Sequence, residues 1–254
     1  MISVIIPGYE KAVEVLTCLN SLRAYADRPF EALVQDDASP SVNFCAVVPP
    51  EIASTERNPV NLGFAGNCNA GAARAHLPIL LFLNQDVFGV EQFSKGWNRA
   101  IVRAFDDPQV GIVGARLLFP DASVQSVGGV IDGARQPVHR CLGWRNLTHP
   151  DIAEPRDVTW VTGAALAIRK SLFETLGGFD TSYGRGYFED VDLCLRAREA
   201  GWKVRYEPRA TFVHPVGSTG GNPAFLKNAQ LFKSRWVDTG KIAPDVHSVT
   251  VRYW

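Results

Sequence analysis

Leu80-Leu81-Phe82-Leu83-Asn84-Gln85-Asp86 is an apolar run that ends in two amides and a carboxylate. With Ile79 it reads as a short strand buried on both faces, and the carboxyl ends of such strands are where open α/β sheets bind ligands. Asp86 is therefore the first candidate metal ligand. Asn84, two residues earlier, has the spacing to face the same cavity. Two oxygens from one strand-end turn could hold a hard cation that also touches phosphate oxygens. An Asx-turn capping the next element explains the same three residues about equally well.

Outward from this run, strands and helices alternate. Ile2-Ser-Val-Ile-Ile-Pro7 is a β-branched run closed by proline, and Val15, Leu16, Leu19 and Leu22 recur at helical spacing within Lys11 to Tyr25. Phe30 to Gln35 predicts a second strand, stopped by Asp36-Asp37-Ala38-Ser39-Pro40. A third strand is expected near Ile52 to Glu56, a small-residue helix over Asn67 to Ala75, then a helix over Gln92 to Phe105 and a strand over Val110 to Gly114. This alternation implies right-handed crossovers and a mostly parallel sheet flanked by helices on both faces. Between Leu117 and Pro155 every period is broken, which reads as a variable excursion. Beyond it come a strand from Val158 to Ile168 interrupted at Gly163, and a capping box from Ser171 to Glu174. A helix from Glu189 to Ala200, short strands at Val204 to Tyr206 and Thr211 to Val213, and a last helix from Ala224 to Trp236 complete the pattern.

The composition excludes several classes. Among 254 residues, 26 basic and 26 acidic side chains cancel and no Lys/Arg block stands out, so nucleic acid is not an expected partner. The longest apolar stretch falls far short of the roughly 20 residues of a transmembrane helix, and the N-terminus opens directly in strand-like sequence. The chain reads as soluble and cytoplasmic. Five cysteines without a CxxC pair suggest buried thiols in a reducing compartment rather than disulfides or a zinc site.

Phe188-Glu189-Asp190-Val191-Asp192 opens a helical pattern with three acids. Carboxylates are favoured in a first turn by roughly 0.3–1 kcal/mol, so capping explains one of them, even two. Yet Tyr183, Gly184, Gly186, Tyr187 and Phe188 form a flexible aromatic approach, a composition expected beside a sugar-like ligand. A carboxylate there could accept a proton from an attacking hydroxyl. His214 ends an apolar segment and could complete a metal site through one ring nitrogen, although a lone histidine is more often structural. Asp36 and Asp37 are either turn-formers or acceptors for a pyrimidine imide or ribose hydroxyls, with Arg57 nearby if the third strand is adjacent. The loop Asn61 to Asn69, containing Gly63 and Asn67, is phosphate-friendly in composition but matches neither a P-loop nor GxGxxG.

In this order the motifs Ser3-Val-Ile-Ile-Pro7, Gln35-Asp-Asp-Ala-Ser39, Arg57-Asn-Pro-Val-Asn-Leu-Gly-Phe-Ala-Gly66, Phe82-Leu-Asn-Gln-Asp-Val87, Thr162-Gly-Ala164, Gly177-Gly-Phe-Asp180 and Glu189-Asp-Val-Asp-Leu-Cys194 strongly resemble glycosyltransferase family 2. The likeness runs from Ile2 to Gly217 and is closest to the rhamnosyltransferase-like branch that builds bacterial cell-surface polysaccharides. It implies a GT-A fold in a single domain, a mostly parallel nucleotide-binding sheet with a smaller acceptor-side region, divided into a nucleotide-sugar-binding half (1–116) and an acceptor and catalytic half (117–254). It implies a divalent metal, Mg or Mn, a dTDP- or UDP-sugar donor, and a glycan or lipid-linked acceptor. Asp86 corresponds to the last acid of the DxD motif, here Asn84-Gln85-Asp86, and His214 to a histidine that joins the metal. The nucleotide site would comprise Pro7, Tyr9, Glu10, Asp36, Asp37, Arg57, Gly63, Asn67, Asn84 and Gln85. Gly163, Tyr187 and Phe188 would face the acceptor or sugar, and Asp190, beside Glu189, would be the base of a single inverting displacement. No covalent nucleophile is then needed.

The chain ends 40 residues after His214, where many members of the family continue. A partner protein or a larger assembly is therefore expected, with the chain peripheral at the inner face of the cell membrane. Two other readings stay open: a sugar nucleotidyltransferase, whose Gly-rich basic loop Pro7-Gly-Tyr-Glu-Lys11 replaces poorly, and a catalytically silent sugar-nucleotide or glycan-binding module.

Overall fold

The computed structural model describes residues 1–215 and 225–245. Gly217 and Ala224, which bound two of the expected features, lie outside that range. The first half contains β1 (Ile2–Gly8), α1 (Ala12–Tyr25), β2 (Glu31–Asp36), α2 (Phe44–Val47), β3 (Ser54–Arg57), α3 (Gly63–Ala73), β4 (Ile79–Leu83), α4 (Glu91–Ser94) and α5 (Trp97–Ala104). Then follow β5 (Val110–Leu118), β6 (Val124–Ser126), β7 (Gly129–Ile131), β8 (Pro137–His139), α6 (Pro150–Ala153), β9 (Arg156–Val158), β10 (Ala165–Arg169) and α7 (Lys170–Thr175). The chain continues through α8 (Glu189–Glu199), β11 (Lys203–Val213) and α9 (Phe225–Phe232).

A nine-stranded sheet runs in the order β3-β2-β1-β4-β10-β5-β11-β9, with β6 paired to β5. Period-two alternation sends Leu80 and Phe82 of β4 to one core, and Ile79, Leu81 and Leu83 to the other. With both faces apolar, the sheet is stable only when helices cover both. Residues of α3 and α8 fill the first core, while Val15, Leu19 and Leu22 of α1 and Trp97 and Ile101 of α5 fill the second. Each such side chain contributes roughly 1.5–3 kcal/mol on burial, enough to fix the strand register.

The pairing pattern gathers the chemistry. Strands β1 to β4 are mutually parallel, β10 is antiparallel to both β4 and β5, and β11 is parallel to β5. Two antiparallel steps restore the original direction. The carboxyl ends of β1, β2, β4 and β11 and the amino end of β10 therefore share one edge of the sheet, which carries Tyr9, Asp36, Asp86, His214 and Gly163.

Several boundaries differ from the sequence expectation. The stretch read as one strand from Val158 to Ile168 is two: β9 pairs with β11 at the edge, and β10 sits centrally between β4 and β5. Conversely, the two strands expected at Val204 and Thr211 are one strand, β11, whose register shifts between Glu207 and Thr211. The helix expected from Gln92 to Phe105 breaks at Gly96, whose φ of 73° is left-handed. Ser171 and Glu174 form no capping box; α7 begins at Lys170, which pairs with Glu174 at 3.0 Å. The excursion holds β6, the β7–β8 ribbon and α6 rather than irregular chain. Four cysteines are buried as expected, but Cys45 is exposed.

Candidate active site

Asp86 and His214 meet at the sheet edge. His214 Nε2 lies 3.2 Å from Asp86 Oδ1, with both side chains mostly buried. The histidine is oriented from behind by Gln125 of β6, whose Nε2 donates to the His214 carbonyl at 2.8 Å while its Oε1 lies 2.6 Å from Nδ1. Because the amide nitrogen is committed to a carbonyl, Oε1 is the acceptor and Nδ1 carries the proton. Nε2 is thus the ring nitrogen left to face Asp86. Among the described residues no three His, Cys, Asp or Glu side chains form a complete metal cage. A carboxylate and an oriented imidazole suit an ion that takes its remaining ligands from diphosphate and water, as Mg and Mn do. The donor set fits such an ion.

On the β1–β2–β3 side, Asp36 is fully buried and accepts from Ser39 N (2.9 Å), Ser39 Oγ (2.6 Å) and Arg57 Nη1 (2.9 Å). Arg57 is adjacent because β3 pairs with β2 in the register Asp36↔Arg57, and its Nη2 also donates to Ser39 O at 2.7 Å. Asp37 accepts from the backbone N–H of Leu62 (2.7 Å) and Gly63 (2.9 Å) and from Asn58 Nδ2 (3.0 Å). Asn58 also donates to Asn67 Oδ1, and Asn67 donates to Gln35 O. These bonds tie the Asp36–Ser39 turn and the Gly63 loop together at this end of the sheet. Gln85 likewise uses both ends of its amide on the Tyr9 backbone, at 2.9 and 3.1 Å. Tyr9 is left 42% exposed, and beside it Glu10 and Lys11 are left-handed at φ 57° and 48°. Glu10 Oε1 accepts from Ser41 N at 2.8 Å. Pro7 is buried within β1, and Asn84 is half-buried at the end of β4, its N–H donating to Ala164 O.

The acidic helix start lies across this edge. Asp190 is half-buried, with Oδ2 accepting from Gly163 N and Oδ1 from Val191 N, both at 2.8 Å. A Cβ at Gly163 would sit 3.3 Å from Asp190 Cβ and 3.4 Å from the Phe64 ring, so glycine permits this approach. Burial raises the Asp190 pKa, and the two backbone donors partly oppose it. Glu189 is 5% exposed, its Oε2 lacks a hydrogen-bond partner among the described residues, and burial followed by the Asp190 charge pushes its pKa well up. Of the two adjacent acids, Asp190 is the one that keeps exposed surface and has donors on both carboxylate oxygens. Tyr187 is exposed and Phe188 buried; both are left-handed, at φ 74° and 76°, each at a cost of order 1–3 kcal/mol. Asp192, the third acid, is structural: it accepts from Trp236 Nε1 (2.9 Å) and Arg196 Nε (2.7 Å).

Gln125, Asn58 and Asn228 escaped the sequence reading. Gln125 lies 89 residues from its partner in a segment without periodicity, so no local signal marks it.

The sheet edge thus carries a carboxylate–imidazole pair and a half-buried helix-start acid, on a fold shared with GT-A glycosyltransferases. The model of the family Glycosyl transferase family 2 matches residues 3–177, and the chain belongs to that family. It is 30% identical over 226 residues, or 84% of its length, to the O-antigen biosynthesis protein RfbC of Myxococcus xanthus. It is 37% identical over 128 residues, or 46% of its length, to the N-acetylglucosaminyl-diphospho-decaprenol L-rhamnosyltransferase of Mycobacterium tuberculosis H37Rv. The chain spans 17% and 41% of those two relatives. GalNAc-T7 crystallised with UDP, GalNAc and Mn2+ superposes over 95% of this chain and 50% of its own, with TM-score 0.75 and 17% identity, a likeness of fold. Among the described residues no helix is long and apolar enough to cross a membrane.

Proposed function

We propose that this chain transfers a sugar, with inversion, from a nucleoside-diphosphate donor to a glycan or lipid-linked acceptor in cell-surface polysaccharide synthesis. The observation that carries the reading is Asp190, held by the N–H groups of Gly163 and Val191 at the same sheet edge as Asp86 and His214. In this reading Tyr9, Arg57 and the loop at Gly63 line the nucleotide pocket of the first half. Exposed Tyr187 orients the acceptor in the second; Phe188, expected beside it, is instead buried against Phe225 and Phe232 and is not an acceptor contact. Asp190 accepts the proton of the acceptor hydroxyl as that oxygen attacks the anomeric carbon, and a single displacement inverts the centre. Asp86 and His214 would hold Mg or Mn, which when bound supplies positive charge beside the departing diphosphate.

Rhamnose from dTDP-rhamnose is the first donor to test, supported by the likeness to the mycobacterial rhamnosyltransferase. With Tyr187 exposed beside the acidic helix start, the proposed acceptor is a lipid-linked sugar presented at the inner membrane face, held with a partner or further domain. The experiment is dTDP release from dTDP-rhamnose with Mn and an N-acetylglucosaminyl-diphospho-lipid, with the product's anomeric configuration read by NMR. Acceptor-dependent release with inversion supports the proposal; retention of configuration contradicts it, and tight nucleotide binding without turnover favours a silent module.

A further inference from the structure

Helix α9 packs behind the loop that delivers the acidic helix start, and the amide nitrogen of one of its side chains bonds that loop. Asn228 is 1% exposed, and its Nδ2 lies 2.6 Å from Tyr183 O, 2.7 Å from Gly186 O and 3.3 Å from Tyr187 O. An amide nitrogen has two protons, so the two short contacts take them and the third is shared. The loop so held is one the chain would not adopt by local preference: Gly184, Gly186, Tyr187 and Phe188 all have positive φ, at 65°, 132°, 74° and 76°. Phe188 is the N-cap of α8 and makes no side-chain capping bond, so nothing local fixes where the helix begins. Glu189 and Asp190 follow immediately.

We propose that Asn228 is a positioning residue for glycosyl transfer: it latches carbonyls 183, 186 and 187 so that α8 starts with Asp190 directed at the acceptor side. This rests on the assignment of Asp190 as base. Tethering two carbonyls at once removes the freedom of the loop to relax Tyr187 and Phe188 out of the left-handed region. The donor side is held from other elements: Tyr9 by Gln85, Arg57 by Asp36 and Ser39, and His214 by Gln125. The expected signature is a fall in turnover without a change in nucleotide affinity.

The test compares wild type with Asn228→Asp, which keeps the shape but removes both donors, and with Asn228→Ala should the first fail to fold. Three readouts are taken: backbone hydrogen exchange over 183–192, dTDP affinity with Mn, and turnover of dTDP-rhamnose. The latch predicts exchange at least tenfold faster over 183–192, unchanged protection in β1 and β4, unchanged dTDP affinity, and turnover at least tenfold lower at unchanged donor KM. Unchanged exchange over 183–192 overturns the latch whatever the turnover. Loosened exchange with wild-type turnover overturns the positioning role, and protection lost evenly over the whole sheet makes the residue merely structural. If wild type does not turn over dTDP-rhamnose, the donor assignment fails and the exchange readout alone decides the latch.

Discussion

The backbone N–H of Gly163 donates to Asp190 Oδ2 at 2.8 Å, joining the start of a central strand to the start of a helix 27 residues later. The bond aims a half-buried carboxylate and draws its raised pKa back toward ionisation. Asp190→Asn keeps the shape and removes the basicity. Turnover is expected to fall about 10²–10⁴-fold, the usual worth of a general base, while dTDP affinity with Mn stays within about twofold. Equal loss of both would remove Asp190 from the base role.

Gly163→Ala tests the same contact from the other side. The added methyl meets Asp190 Cβ at 3.3 Å and the Phe64 ring at 3.4 Å, so one of them must give. Since a 1 Å misplacement can cost about 10²-fold, turnover should drop more than tenfold with a melting midpoint close to wild type. Wild-type turnover would mean that the loop absorbs the methyl without moving the base.

Gln125→Leu removes the group that fixes the ring of His214. Loss of such an outer partner typically costs 10–100-fold in metal affinity, so the Mn concentration needed for half-maximal dTDP binding should rise by about that factor. Asp86→Ala should weaken metal-dependent binding further. Unchanged Mn dependence in either variant would take that residue out of the metal site.

Glu189 carries a pH signature. Its folded pKa is raised by burial, so the folded state binds a proton that the unfolded chain has released, and stability falls as pH rises from about 4.3 toward the folded value. Glu189→Gln removes this slope. Its melting midpoint should exceed wild type by several degrees at pH 8 and by little at pH 4, measured by calorimetry. A constant difference across that range would show that Glu189 is not held protonated.

Much of the frame was legible because it depends on local periodicity. The runs Ile2 to Pro7 and Ile79 to Leu83 could only be strands buried on both faces, and helices had to follow. The carboxylates Asp86 and Asp190 stood out because one ends an apolar strand and the other opens a helix, places where ligand chemistry collects. What escaped depends on pairing across distance: whether Val158 to Ile168 is one strand or two is decided by which neighbours complete the sheet, and Gln125 and Asn228 act on partners 89 and 45 residues away. Asp36, Asp37 and Gln85 show the reverse. Their types suggested a ligand, while most of their hydrogen bonds are spent on the Ser39 turn, the Gly63 loop and the Tyr9 backbone.

The most direct measurement is calorimetric titration of the protein with dTDP, UDP and GDP, each with and without Mn, repeated on Asp86→Ala. A metal-dependent donor site at Asp86 and His214 predicts that one nucleotide binds tightly only with Mn and that the variant loses this gain. Binding equally strong without Mn, or unaffected by the variant, would contradict it.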